Sequence, residues 1–177
     1  MDVKDAIKTR RTIRKFKEEG VSDDIIKELT EAARLAPSGS NAQPTRLFFV
    51  RNKDLKQRLE DEGAFSQDFV HKAPFILVFC GDPDSYKTAS FAKLLAGREE
   101  KRTFRDVTIA SSFVVLRATE MGLSTCWVGL IEPEVIKKVL NIPENFMIPF
   151  VLCVGKADET PKPLTRKSAE EIVLGDD

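Results

Sequence analysis

The amino-acid sequence predicts a single domain of the α+β or mixed α/β class, because helical and strand patterns alternate irregularly along it. Two apolar runs, over residues 75–80 and 148–154, are typical of buried strands. The apolar residues of 106–121 surround most of a helical circumference, so this predicted helix must be covered on more than one side. A chain of 177 residues can bury a substantial core, and we predict one domain over residues 1–177.

Four elements are predicted before the first buried strand. Ser22 can cap a helix whose apolar residues recur at helical spacing, and Pro37 prevents that helix from continuing. A later stretch, over residues 53–62, has the charged composition of a surface helix. The predicted elements are a helix over 2–9, a helix over 22–35, a strand over 47–50 and a helix over 53–62.

The second half of the chain contains two highly charged segments, over residues 82–105 and 155–177, with regular elements between them. Residues 82–105 are highly charged and are predicted to form short helices in a flap. Gly122 is predicted to end the apolar helix, and a strand over 124–128 and a helix over 133–140 are predicted to follow. The charged, proline-containing tail over 155–177 cannot supply a core element and is expected to wrap a neighbouring subunit.

The charge balance argues against two broad classes of partner. The chain has 28 basic and 28 acidic residues, which gives no general attraction to nucleic acid or to an anionic membrane. Residues 1–5 have no apolar core, so we expect no signal peptide. The apolar run over 75–80 is far shorter than the roughly 20 residues that span a bilayer. A cytoplasmic protein outside the membrane is therefore expected.

The cysteine and histidine content argues against a metal site. Cys80, Cys126 and Cys153 lie in apolar segments and are predicted to be buried thiols of a reducing compartment. No Cys-x-x-Cys motif occurs, and His71 is the only histidine. We therefore predict no bound metal and no nucleophile paired with a histidine.

Two stretches near the N-terminus are candidates for a binding site. The first reads Arg-Arg-Thr-Ile-Arg-Lys-Phe over residues 10–16, and the second reads Ala-Pro-Ser-Gly-Ser-Asn-Ala-Gln-Pro over 36–44. Guanidinium groups bind phosphate through paired hydrogen bonds, so arginines beside amides and hydroxyls suit a phosphate that carries a polar heterocycle. Each stretch alone could equally be a solvated face or a turn. A short amphipathic helix links them, and we expect them to lie close together.

The order and spacing of these motifs resemble the nitroreductase family of flavin enzymes. That family shows Arg-Arg-Ser-x-Arg-x-Phe, then a helix, then Ala-Pro-Ser-x-x-Asn-x-Gln-Pro. A third stretch, Gly-Leu-Ser-Thr-Cys-Trp-Val-Gly over 122–129, is similar to the family's Gly-Leu-Gly-Thr-Cys-Trp-x-Gly. The tail over 165–173 is a weaker match, so the resemblance spans nearly the whole chain.

The resemblance implies a central, mostly antiparallel sheet flanked by helices, in an intertwined homodimer with FMN at the interface. Two positions depart from the family pattern: Thr45 follows Gln-Pro where Trp is usual, and Leu164 stands where the tail often has Lys. The residues that the resemblance assigns to FMN are Arg10, Arg11, Thr12, Arg14, Pro37, Ser38, Gly39, Asn41, Gln43, Trp127, Val128, Gly129 and Arg166.

The expected chemistry is that of a flavin. The nine glycines never form a glycine-rich pyrophosphate loop, which favours FMN over FAD. No catalytic acid or base stands out, because a flavin carries the chemistry itself. The resemblance implies an oxidoreductase that takes a hydride from NADH or NADPH. It would pass electrons to a nitroaromatic, quinone or similar small-molecule acceptor by a ping-pong mechanism.

Three other functions stay open from the sequence. They are a flavin-dependent dehydrogenase of a specialised substrate, a low-turnover flavin-binding protein, and an interaction domain with a basic patch and no flavin. A yellow colour on purification separates the last from the others. Bleaching of that colour by NAD(P)H separates an oxidoreductase from a carrier.

Overall fold

A computed structural model describes residues 1–88 and 92–175 of the chain. Two short 3-10 turns, Gly39–Asn41 and Pro83–Tyr86, supplement the regular elements. Those elements are, in order, α1 (Val3–Thr9), α2 (Asp23–Leu35), β1 (Thr45–Val50), α3 (Lys53–Asp61), β2 (Phe75–Gly81), α4 (Ala92–Leu95), α5 (Glu99–Glu120), β3 (Ser124–Val128), α6 (Pro133–Leu140), β4 (Met147–Gly155) and α7 (Ala169–Ile172).

The strands form one antiparallel sheet in the order β1-β2-β4-β3. The register of the central pair sets Phe75 opposite Val154, and that of the β3–β4 pair sets Cys126 opposite Cys153. The predicted class, a central antiparallel sheet flanked by helices, is therefore confirmed. The intertwined homodimer stays a prediction at this point.

Alternate residues of β2 build two separate cores, one on each face of the sheet. Phe75, Leu77 and Phe79 pack with α2 and α5, whereas Ile76, Val78 and Cys80 pack with α3 and α6. Every residue of β2 is buried, as the predicted apolar run requires of a strand covered on both faces.

The three cysteines are buried and free, as predicted. Burial raises the pKa of the Cys80 thiol to about 12 and also raises the pKa of Cys126 and of Cys153. Thiols of this kind pack as small apolar groups and are poor nucleophiles. Within the described residues, no cluster of three or more His, Cys, Asp or Glu side chains could hold a metal.

Helix α5 begins at Glu99, whereas the sequence predicts a start at residue 106. Residues 99–105 therefore form the first turns of the core helix and are not irregular. Gly97, with φ of 76°, precedes the helix, and Glu99 and Glu100 complement the positive end of its dipole. Residues 89–91 of the predicted flap over 82–105 lie outside the described residues, and a flap role for the rest stays a prediction.

The other predicted elements are found, with small shifts at their ends. The strands β1 and β4 begin earlier than predicted, at Thr45 and Met147. The tail after Gly155 is exposed over most of its described length and contains only the one-turn helix α7. Within the described part of the chain, no helix combines the length and the apolar character that crossing a membrane requires.

Candidate functional site

The arginine-rich segment after α1 is held in an extended conformation beside β3. Thr12 forms a bridge with Thr125, and the Ile13 N–H donates to the Thr125 carbonyl at 3.1 Å. The Ile13 side chain is buried, while Arg14 beside it is exposed. This alternation, normal for an extended chain, directs the polar side chains of the segment away from the core.

A carboxylate from the start of the tail fixes the same segment. Glu159 Oε1 accepts the backbone N–H groups of Arg14 and Lys15 at 2.5 and 3.0 Å. These two bonds lower the pKa of Glu159, because they stabilise its ionised form. Glu159 therefore holds the segment through its backbone and not through its side chains.

The guanidinium groups of the segment differ in how far they are already used. Arg11 turns back and donates to the carbonyls of Lys8 and Arg10 at 2.8 and 2.9 Å. Across residues 1–88 and 92–175, no carboxylate forms an ion pair with Arg10 or Arg14. Arg10 lines a cleft of about 420 Å³, which we call the arginine cleft. The other residues of its lining are Thr9, Arg11, Ile13, Thr119, Leu123, Ser124, Glu159, Thr160, Pro161 and Pro163.

The loop over residues 37–43 has an unusual backbone. Ser40, Asn41 and Gln43 adopt φ of 51°, 53° and 49°, in the left-handed region that L residues rarely occupy. Such residues cost on the order of 1–3 kcal/mol each and persist only where the surroundings hold them. The Ser38 hydroxyl accepts the Gln43 N–H at 2.9 Å, which closes the loop on itself.

The loop forms one wall of a second cleft, which we call the loop cleft. It has a volume of about 350 Å³, and Pro37, Ser38 and Gln43 line it. Its other walls come from α2, β1 and α5. The residues that line these walls are Thr30, Ala33, Arg34, Ala36, Thr45, Arg46, Leu47, Phe49, Asp106 and Ala110. Thr45, which replaces the family's tryptophan, therefore lies in the wall of this cleft.

A buried carboxylate on α5 anchors the loop from outside. Asp106 is only 1% exposed, and its Oδ2 accepts the Gly39 N–H at 3.0 Å. The same carboxylate accepts a short hydrogen bond from the Tyr86 hydroxyl and pairs with Arg105, whose Nε lies 2.8 Å from Oδ1. Desolvation, and then the Asp106 carboxylate, raise the pKa of Tyr86 to about 12, so its hydroxyl stays a donor at neutral pH.

The residues of the third motif lie along β3 and just after it. Trp127 is 38% exposed, and its Nε1 donates to the Ser111 hydroxyl of α5 at 3.2 Å. The Val128 side chain is buried in the core. Gly129 is exposed, with open space where a side chain would stand. Trp127 is therefore only partly packed, and its indole N–H is fixed by Ser111.

The two clefts lie at different positions along α5 and share no lining residue. Ala110 belongs to the loop cleft and Thr119 to the arginine cleft, about 14 Å further along the helix. The expectation that the two N-terminal stretches lie close together is therefore wrong within one chain. Arg166, on the exposed tail, lines neither cleft, and its guanidinium donates to the Thr165 carbonyl.

Sequence reasoning missed the residues that hold these segments in place. Asp106, Tyr86, Ser111 and Glu159 were not candidates, although one signal for Asp106 was available. It stands four residues before Ala110 and eight before Val114 on the buried stripe of α5. A single carboxylate on an apolar stripe needs hydrogen-bonding partners, and this need is the signal that marks Asp106. The other missed residues, Tyr86, Ser111 and Glu159, could be found only from the fold.

The antiparallel sheet flanked by helices and the three motifs are those of the nitroreductase family. The nitroreductase family model matches residues 7–156, and the chain belongs to this family. It is 28% identical to an NADH dehydrogenase of Thermus thermophilus, with 98% of this chain and 96% of that protein covered. It is also 28% identical to an NADPH-flavin oxidoreductase of Vibrio harveyi, with 96% and 71% covered.

A solved structure gives the same assignment. The crystal structure of a nitroreductase family protein from Clostridium difficile superposes with a TM-score of 0.82 at 28% identity, covering 98% of this chain and 97% of the other. The family match and the names of these two relatives indicate oxidoreduction as the class of activity.

Proposed function

We propose that this protein is an FMN-dependent oxidoreductase. It takes reducing equivalents from NADH or NADPH and passes them to a nitroaromatic, a quinone or a similar small-molecule acceptor. The observation that carries the proposal is the pair of pre-arranged segments. One offers guanidinium groups without carboxylate partners among the described residues, and the other offers a strained loop rich in amides and hydroxyls. Membership of the nitroreductase family supports the same function.

The phosphate of FMN is assigned to the arginine-rich segment. Arg10 and Arg14 have the charge and the free donors for a dianion, and Thr12 adds a hydroxyl. Arg11, which donates to two backbone carbonyls, supports the turn that carries Arg10. Arg166 is proposed to join them from the tail. The donor set fits a single phosphate group, which supports FMN over FAD.

The flavin ring is assigned to the loop and the third motif. Pro37, Ser38, Gly39, Asn41 and Gln43 would contact one part of the ring. The exposed part of Trp127, with Val128 and the unobstructed Gly129 after it, would contact another part. When bound, FMN supplies the hydride and electron transfer, and the protein supplies binding and orientation.

We propose that the complete site needs two copies of the chain. Lining residues of the loop cleft and of the arginine cleft, Ala110 and Thr119, lie about 14 Å apart along α5. A second subunit would bring one copy's loop to the other copy's arginines. Large apolar side chains on α1 and α5 are available for such contact: Val3 is 69% exposed and Phe113 is 43% exposed. The exposed tail over 155–177 would then wrap the partner.

A shared, open pocket over the flavin predicts ping-pong kinetics, because reductant and acceptor must occupy it in turn. The alternatives are a dehydrogenase of a specialised substrate and a low-turnover flavin protein. The loop cleft, to which the ring is assigned, has room for a small acceptor and favours turnover over both.

The test combines three measurements on the purified protein. Mass spectrometry of the released cofactor should give FMN, light scattering should give a dimer, and anaerobic NADH or NADPH should bleach the flavin absorbance. Release of FAD, or the absence of any flavin, overturns the cofactor assignment. A monomer that holds one FMN tightly overturns the shared site, and flavin that no nicotinamide reduces overturns the oxidoreductase.

A further inference from the structure

One charged group in the wall of the loop cleft has no role in the proposed function. Asp106 lies on α5, and its carboxylate is almost completely buried. A buried carboxylate is expensive unless it is paired and hydrogen-bonded. Asp106 meets this condition with three partners from three different places in the chain. They are the Gly39 N–H, the Tyr86 hydroxyl and the Arg105 guanidinium.

The partner on the loop is the one with a consequence for binding. Three non-glycine residues of this loop have left-handed φ values, so the free loop would relax to other conformations. The Ser38–Gln43 hydrogen bond is internal to the loop and does not fix its position in the molecule. The Asp106–Gly39 hydrogen bond joins the loop to the core helix and does fix it.

The residue at position 39 is adapted to this contact. A Cβ at Gly39 would clash with the end of the Arg105 side chain and would stand 2.8 Å from the Tyr86 hydroxyl. Only glycine lets the backbone approach the carboxylate while Tyr86 and Arg105 keep their own bonds to it. The close approach of the Gly39 backbone to Asp106 and the binding of three partners by the Asp106 carboxylate therefore depend on each other.

We propose that Asp106 is a positioning residue of the flavin site. It holds the loop over residues 37–43 in the strained shape that the ring requires, with Tyr86 and Arg105 fixing the carboxylate in turn. This inference rests on the proposed function. It goes beyond it by giving a binding role to two residues, Asp106 and Tyr86, that need no contact with the cofactor.

The first experiment uses the protein without cofactor. Hydrogen exchange of the loop amides is compared in the parent, in Asp106→Asn and in Tyr86→Phe. The control is Glu120→Gln, which removes an exposed carboxylate from the same helix. Loss of a hydrogen bond to a charged acceptor should speed exchange of the Gly39 amide about tenfold in Asp106→Asn. Tyr86→Phe keeps the Asp106 carboxylate and should show a smaller increase in the exchange rate of the Gly39 amide. The Glu120→Gln control should show no increase.

The second experiment measures FMN affinity and steady-state kinetics of the same variants. Asp106→Asn should bind FMN about tenfold more weakly and lose kcat/KM at saturating FMN, because a loose loop no longer orients the ring. If Asp106→Asn does not fold, Tyr86→Phe carries the test. It should show faster loop exchange and weaker FMN binding than the control.

The possible outcomes separate this inference from the proposed function. A parent protein that binds no flavin overturns the function, whatever the variants do. A parent that binds FMN, with variants that match it in loop exchange, FMN affinity and kcat/KM, overturns the positioning role alone. A variant that only melts at lower temperature, with FMN affinity unchanged, also overturns it, because Asp106 would then be a structural residue.

Discussion

The arginine-rich segment and the loop over residues 37–43 are both held by a carboxylate from a distant part of the chain, but the backbones that the two carboxylates hold differ. Glu159 accepts two amides of a regular extended segment. Asp106 accepts one amide of a strained turn. In the first region the backbone is fixed, and the Arg14 side chain has no carboxylate partner among the described residues. In the second the backbone itself has the unusual shape.

Helix α5 separates the two regions, so the largest expected effect comes from breaking that helix at its middle. Val114 lies between the two clefts and is fully buried in the core. Val114→Asp would place an unpaired carboxylate there, at a cost of several kcal/mol. We expect the chain to lose its cooperative thermal transition in circular dichroism.

Phe113 provides the matched control, because it is next along the same helix but 43% exposed. Phe113→Asp should keep a cooperative thermal transition while shifting light scattering towards a monomer that no longer retains FMN. A dimer with normal FMN content in Phe113→Asp would contradict the proposal that the two regions meet across this surface.

In the arginine-rich segment, removal of one side chain should affect binding and not folding. Arg14→Ala should weaken FMN binding by one to two decades, since a charge-assisted bond contributes about 1.5–3 kcal/mol. The Arg14 side chain has no carboxylate partner among the described residues, so the melting temperature should stay close to that of the parent. Fluorescence titration measures the affinity, and an equal value in parent and variant would make Arg14 a surface charge only.

In the loop, removal of one side chain should affect the backbone first. Ser38→Ala deletes the acceptor of the Gln43 N–H, a bond whose net contribution is about 0.5–1.5 kcal/mol. We expect faster amide exchange across residues 38–43 and a modest loss of FMN affinity. Thr45→Ser, in the wall of the same cleft, is a suitable control, and equal exchange in both variants would count against a pre-arranged loop.

The smallest expected effect is a pH dependence in the arginine-rich segment. The backbone N–H groups of Arg14 and Lys15 lower the pKa of Glu159 in the folded protein. The stabilisation is therefore present above the unfolded-state pKa, near 4.5, and is lost as the pH falls through the lower folded value. The melting temperatures of the parent and of Glu159→Gln should converge below about pH 4.5. A difference that stays constant between neutral and acidic pH would show that this carboxylate does not hold the segment.

The sequence predicted the regular elements well, because their signals are local. The Ser22 cap, the apolar run of β2 and the glycine after α5 each act within a few residues. The start of α5 was missed because its first turns are charged, although Glu99, Glu100 and their neighbours are good helix formers. The high charge of residues 99–105 led to the prediction of irregular structure where the helix in fact begins.

The candidate segments could be recognised from their residue types, but their arrangement could not. Their distance in the fold is set by α5 and the sheet, not by the short helix that links them in sequence. Glu159 accepts a hydrogen bond from the Arg14 N–H, 145 residues away in the sequence, and Asp106 accepts one from the Gly39 N–H, 67 residues away. No periodicity or spacing rule connects residues over such separations.

The central pairing of β2 with β4 has a consequence for synthesis of the chain. Phe75 pairs with Val154, so almost half of the chain must leave the ribosome between the two strands. At 5–20 residues per second, β2 waits roughly 4–16 s for its partner. Throughout that time the segment Phe75–Gly81, apolar and without charge, presents to other nascent chains the edge that later pairs with β4. Aggregation during expression should therefore begin at β2, the most protected strand of the finished protein.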